Sequence, residues 1–127
     1  MAASSDKPTS NVVFQYGPLW DESLADAIKD TPNIVQKIKE FTAFKSQNPV
    51  SSYGVGDRPF KGEGIYRQYL PKAVKAHLTR DISIIYELSG RNPTVIKLYG
   101  VFTHADLGTG NPANLKIQKN MAKRLSR

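Results

Sequence analysis

The stretch from Ile82 to Phe102 limits what this chain can become more than any other. It holds two runs, ISIIYEL (82–88) and TVIKLYGVF (94–102), separated by Ser89-Gly90-Arg91-Asn92-Pro93. Isoleucine, valine and tyrosine suit a packed, pleated surface, so both runs read as strands from the middle of a sheet. The glycine and proline between them mark a turn, and so short a connection joins strands antiparallel. A further strand over Ala73–Thr79 precedes them, so the second half of the chain reads as an antiparallel meander.

Helical patterns flank this sheet. NVVFQY (11–16) reads as a short strand before the Gly17-Pro18 break. WDESLADAIKD then starts a helix, with Asp21 as N-cap and Glu22 in the first turn. Thr31 and Pro32 are placed to cap and begin a second helix, PNIVQKIKEFTAFKSQ. Its residues Ile34, Val35, Ile38, Phe41 and Phe44 form the core face, and Lys37, Lys39 and Lys45 look outward. Asn48-Pro49 ends it. The glycine-rich segment 50–70 reads as a loop with one strand near Ile65–Leu70. After Gly108-Thr109-Gly110, Asn111 and Pro112 cap a final helix in which Ile117, Met121 and Leu125 recur every fourth residue. The pattern is α+β: N-terminal helices packed on a small antiparallel β-sheet, with a basic C-terminal helix at about 111–127. With 127 residues the chain is long enough to bury a core without disulfides. The expected organisation is a disordered tail over 1–10 and one domain over 11–127.

Composition narrows the function classes. There is no cysteine, so no disulfide framework or thiolate site exists, and a cytoplasmic location fits. No secretory signal or membrane span is visible, and two histidines without clustered carboxylates or thiols point to no metal. The net charge of +7 is lopsided: residues 1–60 carry six Lys/Arg and seven Asp/Glu, and residues 61–127 carry twelve and four. All of the excess positive charge lies in the half that holds the sheet. A one-sided basic field suits a polyanion such as nucleic acid.

Both histidines belong to that half. His77 lies near the junction of two strands with Asp81 four residues on, and His104 follows the last strand. Ends of an antiparallel meander converge on one edge, with Arg58, Arg67, Lys75 and Arg80 as neighbouring cations. Imidazole, carboxylate and guanidinium together can cleave RNA without a metal. One group takes the proton of the ribose 2′-hydroxyl, another protonates the departing 5′-oxygen, and a cation offsets charge on the phosphorus. DNA lacks the 2′-hydroxyl and would not react. By spacing alone, a histidine at a strand end is more often a structural or solvated side chain than a catalyst.

The order of residues adds a resemblance. AHLTRDISIIYEL followed by VFTHADLGTG resembles the RelE/ParE superfamily of bacterial toxins, particularly its YafQ-type branch. His77, Asp81, Ile84-Ile85-Tyr86 and Thr103-His104-Ala105-Asp106-Leu107 match that branch's order of residues. The upstream helix-to-loop region, FTAFKSQNPVSSYGVGDRPF, and the tail NMAKRL are similar to YafO-type toxins. The resemblance implies a RelE-like fold and an mRNA interferase: a metal-independent endoribonuclease acting on mRNA, commonly at the ribosome, with no cofactor. It also implies silencing by a cognate antitoxin, an acidic one given the basic final helix. His77 and His104 then correspond to proton-transferring histidines, and Asp81 to an acidic residue that orients a histidine or acts as base. Arg58, Arg67, Lys75 and Arg80 become candidates for phosphate contact, and Lys116, Lys119, Lys123 and Arg124 for RNA affinity. This chain departs from the YafQ-type pattern in having Arg58 for a histidine, Ile82 for an aromatic and Gly108 for a phenylalanine. Its final helix extends beyond the pattern. Tyr66, Tyr69 and Tyr99 are the residues left for stacking on a base or for core packing, and Tyr86 is expected in the core. Two other readings stay open: a ParE-like gyrase inhibitor, and a basic RNA- or ribosome-binding module without chemistry.

Overall fold

The structure, a computed structural model, describes residues 11–53, 58–59, 64–91, 93–108 and 114–127. In chain order the elements are β1 (Val12–Tyr16), α1 (Trp20–Asp30), α2 (Ile34–Gln47), β2 (Arg58–Pro59), α3 (Gly64–Tyr69), β3 (Val74–His77), β4 (Ile82–Ser89), β5 (Thr94–Thr103), α4 (His104–Leu107) and α5 (Leu115–Leu125). The strands form one five-stranded sheet in the order β1-β5-β4-β3-β2. The β2, β3, β4 and β5 neighbours are antiparallel, as expected for the last three, while β2 lies in a segment read from sequence as loop. β1 joins the outer side of β5 in parallel, Val12 beside Thr94 through Tyr16 beside Leu98. The architecture is thus α+β, with a sheet that is antiparallel except at that edge.

Each face of the sheet carries its own core. On one face Trp20 and Ala27 of α1 and Ile34 and Phe41 of α2 pack on Ile82, Ile84, Tyr86, Ile96 and Leu98. On the other, Tyr66 of α3, Leu107 of α4 and Ala122 and Leu125 of α5 pack on Ile85, Tyr99 and Phe102. Because both faces are covered, β4 is buried without interruption from Ile82 to Tyr86, and its sequence shows no polar alternation.

A bulge sets the phase of β5. Ile85 pairs with Gly100 and Tyr86 with Leu98, so Tyr99 is the extra residue. Before the bulge Ile96 and Leu98 face the α1/α2 core, and after it Val101 does, while Phe102 turns to the α3/α5 core. Past Leu98, β5 has no β1 partner, and α1 covers its edge instead. The Ser23 hydroxyl accepts from the Val101 amide at 3.1 Å and donates to the Trp20 carbonyl at 3.0 Å. Gly100 permits this approach: a Cβ there would sit 2.5 Å from the Phe102 ring and 2.9 Å from Ser23 Oγ.

Several local expectations give way to tertiary packing. Residues 64–69 form a helix rather than a strand, because Tyr66 and Leu70, four apart, both reach the second core. Lys45 does not look outward; it is 1% exposed, its ammonium lying 4.7 Å from the Tyr86 ring centroid and donating to the Ser51 carbonyl. Phe44 is half-buried and Val35 exposed, so the buried stripe of α2 runs Ile34, Ile38, Phe41, Lys45. Leu19, not Asp21, holds the N-cap position of α1, and Asp21 sits in the first turn. Asn33 takes that position for α2, after a Thr31–Ile34 turn. In α5 the cap position is Asn114 and the buried face is Gln118, Ala122 and Leu125, leaving Ile117 largely exposed. Asn111, Pro112 and the tail over 1–10 lie outside the described residues. No helix among the described residues is long and apolar enough to cross a membrane.

Candidate functional site

The register of three strands brings the site together. His77, the last residue of β3, pairs with Ser83 of β4, and Ser83 pairs with Phe102 of β5. Two residues beyond Phe102 stands His104. The two imidazole rings lie 5.9 Å apart, centroid to centroid, with their planes inclined by 59°, and both side chains are exposed. The bulge at Tyr99 contributes to this placement, since it puts Phe102 on the side of the sheet where Ser83 and Ile85 lie.

His104 is held by local chemistry that the sequence TH-A-DLG encodes. The Thr103 hydroxyl accepts from the Asp106 amide at 3.1 Å, and the Asp106 carboxylate accepts from the Thr103 amide at 3.2 Å. This reciprocal capping box makes His104 the first residue of α4. Gly108 closes the helix at φ 67°, a conformation that an L-residue adopts at a cost. The carbonyls at that end are satisfied from two other helices. Tyr66 donates its hydroxyl to the Leu107 carbonyl at 2.6 Å, and the Gln118 amide donates to the Gly108 carbonyl at 2.7 Å. Gly108, standing where the YafQ-type pattern has a phenylalanine, is the stop that this short helix requires.

His77 is held differently. Its Nδ1 lies 3.0 Å from Ser83 Oγ, and Ser83 is 2% exposed. Between them the chain turns through Leu78–Ile82, where the Leu78 amide donates to the Ile82 carbonyl at 2.9 Å. The Thr79 hydroxyl accepts from the amides of Asp81 and Ile82 at 3.2 and 3.0 Å. Asp81 and Arg80 sit exposed on this turn. The Asp81 carboxylate makes no hydrogen bond to either imidazole, so of its two expected roles the orienting one lacks a contact. It instead lines a cleft of about 650 Å³ between α1, the ends of β4 and β5, and α5. Glu22, Asp26, Asp30, Asp81 and Asp106 line that cleft against Lys29 and Arg124. A surplus of carboxylates repels a polyanion, so the acidic interior of this cleft favours a cationic occupant over a phosphate backbone.

The expected cations divide into groups. Lys75 is two residues before His77 on β3, on the same side of the strand, and the Arg58 backbone pairs beside it. Arg67 is exposed on α3, which packs on the histidine side of the sheet. Lys116, Lys119 and Lys123 are exposed and share the face of α5 opposite its buried residues. Arg124 is engaged: its guanidinium donates to Glu22 of α1 at 2.8 Å. Tyr66 and Tyr99 are buried and cannot stack on a base, whereas Tyr69 at the rim of the second core is half-buried. The Tyr99 hydroxyl donates to Glu87 at 2.9 Å. Burial, then the hydrogen bond and charge of Glu87, push its phenol far above the usual range, so it remains a donor.

No family model matches the sequence, and no curated protein matches it. Solved structures do share the fold. The crystal structure of the E. coli DinJ-YafQ complex superposes with a TM-score of 0.58 at 20% identity, over 74% of this chain and 94% of that one. A second structure of the E. coli DinJ-YafQ toxin-antitoxin complex gives 0.60 at 20% identity, over 76% and 97%. A YoeB/ParE toxin from Agrobacterium tumefaciens gives 0.56 at 14% identity, over 72% and 98%. The chain has the RelE-like fold of these toxins, and it spans nearly the whole of each.

Proposed function

We propose that this protein is the toxin of a toxin-antitoxin pair and acts as a metal-independent endoribonuclease on mRNA, at the ribosome. The observation that carries the reading is the approach of the only two imidazoles to 5.9 Å on one edge of a toxin-like sheet. One imidazole removes the proton from the ribose 2′-hydroxyl, whose oxygen forms a new bond to the adjacent phosphorus. The bond to the 5′-oxygen breaks, and the other imidazole protonates that oxygen. The products are a 2′,3′-cyclic phosphate and a free 5′-hydroxyl. Histidine suits both roles because it exchanges protons near neutral pH.

Lys75, Arg67 and Arg80 supply positive charge around the scissile phosphate. Asp81, on the turn after His77, is the remaining acid–base candidate. The lysine stripe of α5 adds salt-dependent affinity for RNA without entering the chemistry. A gyrase-binding mode has no use for the paired imidazoles. An antitoxin, as in the DinJ-YafQ complexes, is the expected protein partner, and an acidic segment of it suits the basic half of the chain.

The test is His77→Ala combined with His104→Ala. RNA cleavage, read on translating ribosomes and by mapping RNA ends in cells after brief induction, is expected to fall at least ~10³-fold and growth inhibition to vanish. The melting temperature is expected to stay close to wild type, because both rings are exposed. A double variant that cleaves and inhibits growth like wild type would refute the proposal.

A further inference from the structure

Ser83 has no place in the scheme above, yet it is the one side chain in hydrogen-bond contact with His77 among the described residues. It is 2% exposed within a run of apolar β residues, Ile82, Ile84, Ile85 and Tyr86, where a hydroxyl adds nothing to packing. Register explains the contact. Ser83 lies directly opposite His77 across the β3–β4 ladder, so both side chains rise on the same side of the sheet. Its backbone is fixed on both sides, by β3 and by β5, and this strand-bound hydroxyl faces an exposed ring that would otherwise rotate.

We infer that Ser83 is a positioning residue for His77: its hydroxyl oxygen accepts a hydrogen bond from Nδ1–H, leaving Nε2 as the only nitrogen that exchanges protons with RNA. The inference rests on the acid–base role proposed for His77. The direction of the bond follows from proton balance. A histidine that gains and loses a proton at Nε2 must keep Nδ1 protonated in both states, since losing both protons would create an imidazolate. Nδ1 is then always a donor, and its partner must always accept. A serine hydroxyl accepts in either state. Because a hydroxyl can also donate, it is proton exchange at Nε2 that makes Ser83 the acceptor here, in the place usually taken by a carboxylate or a backbone carbonyl.

The experiment uses the fact that the chain has only two histidines. Long-range ¹H–¹⁵N spectra of the uniformly ¹⁵N-labelled full chain contain two imidazole patterns, and His77→Ala identifies the one from His77. In wild type the neutral His77 ring is expected as the Nδ1–H tautomer. Ser83→Ala is expected to convert it mainly to the Nε2–H tautomer while the His104 pattern stays in place. The turnover of cleavage on ribosomes should fall roughly 10- to 100-fold with little change in KM, and Ser83→Thr, which retains the hydroxyl, should restore both readouts. An unchanged tautomer in Ser83→Ala overturns the inference whatever happens to activity. A tautomer change accompanied by full activity of His77→Ala would overturn the functional reading instead and leave the hydrogen bond standing.

Discussion

The two faces of the sheet are built on different terms. The face under α1 and α2 is closed by apolar side chains, with Phe41 at its centre against Tyr53 and Tyr86, ring centroids 5.2 and 5.4 Å away. The face under α3, α4 and α5 is stitched by directed hydrogen bonds, from Tyr66 to Leu107 and from Gln118 to Gly108. Burial of apolar surface is strong but indifferent to orientation, whereas a hydrogen bond fixes where an atom points. Both faces bury an apolar core, and the second adds bonds that fix the end of α4 and so help to place His104.

Substitutions can break this division or sharpen it. The largest stability effect is expected from Phe41→Ala, which empties a fully buried aromatic site and should cost ~3–5 kcal/mol in denaturant unfolding. The cleavage rate per folded molecule should stay near wild type; a collapse in that rate would mean that the two faces are coupled. Thr103→Ala is expected to behave in the opposite way. Losing the capping hydroxyl should cost ~1 kcal/mol, while cleavage falls by more than the stability loss explains, because His104 loses its anchor. Smallest is Arg124→Gln, which breaks an exposed ion pair with Glu22 worth less than ~1 kcal/mol. Neither unfolding nor turnover should move by more than that, and a large change in turnover would place the acidic cleft in the reaction.

Much of this division is written locally in the chain. The long strands are legible because Ile82–Tyr86 and Ile96–Phe102 are dense in β-formers and a glycine and proline punctuate them. The strand bounds fall within a residue or two of those expected for Ile82–Ser89 and Thr94–Thr103. His104 is equally local, since its capping box spans four consecutive residues. What fails is whatever depends on a partner distant in sequence. Lys45 continues the stripe set by Ile34, Ile38 and Phe41, but its charge suggests solvent until the rings of Phe41 and Tyr86 are seen around it. Residues 65–70 are aromatic enough to read as a strand, and only the core above Ile85 makes them a helix. The contact of Ser83 with His77 requires the strand register, which no single segment contains.

The bulge at Tyr99 reaches further than its size suggests. It works as a phase slip between two reading frames of side chains along one strand. Upstream, even-numbered residues face the α1/α2 core; downstream, odd-numbered ones do. Were Tyr99 instead taken into a regular ladder, Val101 and Phe102 would turn inside out together and the first turn of α4 would slide along the strand by about 3.3 Å. The inside-out pair and the displaced histidine would then be a single error, so the packing of Phe102 and the position of His104 are inherited as one trait.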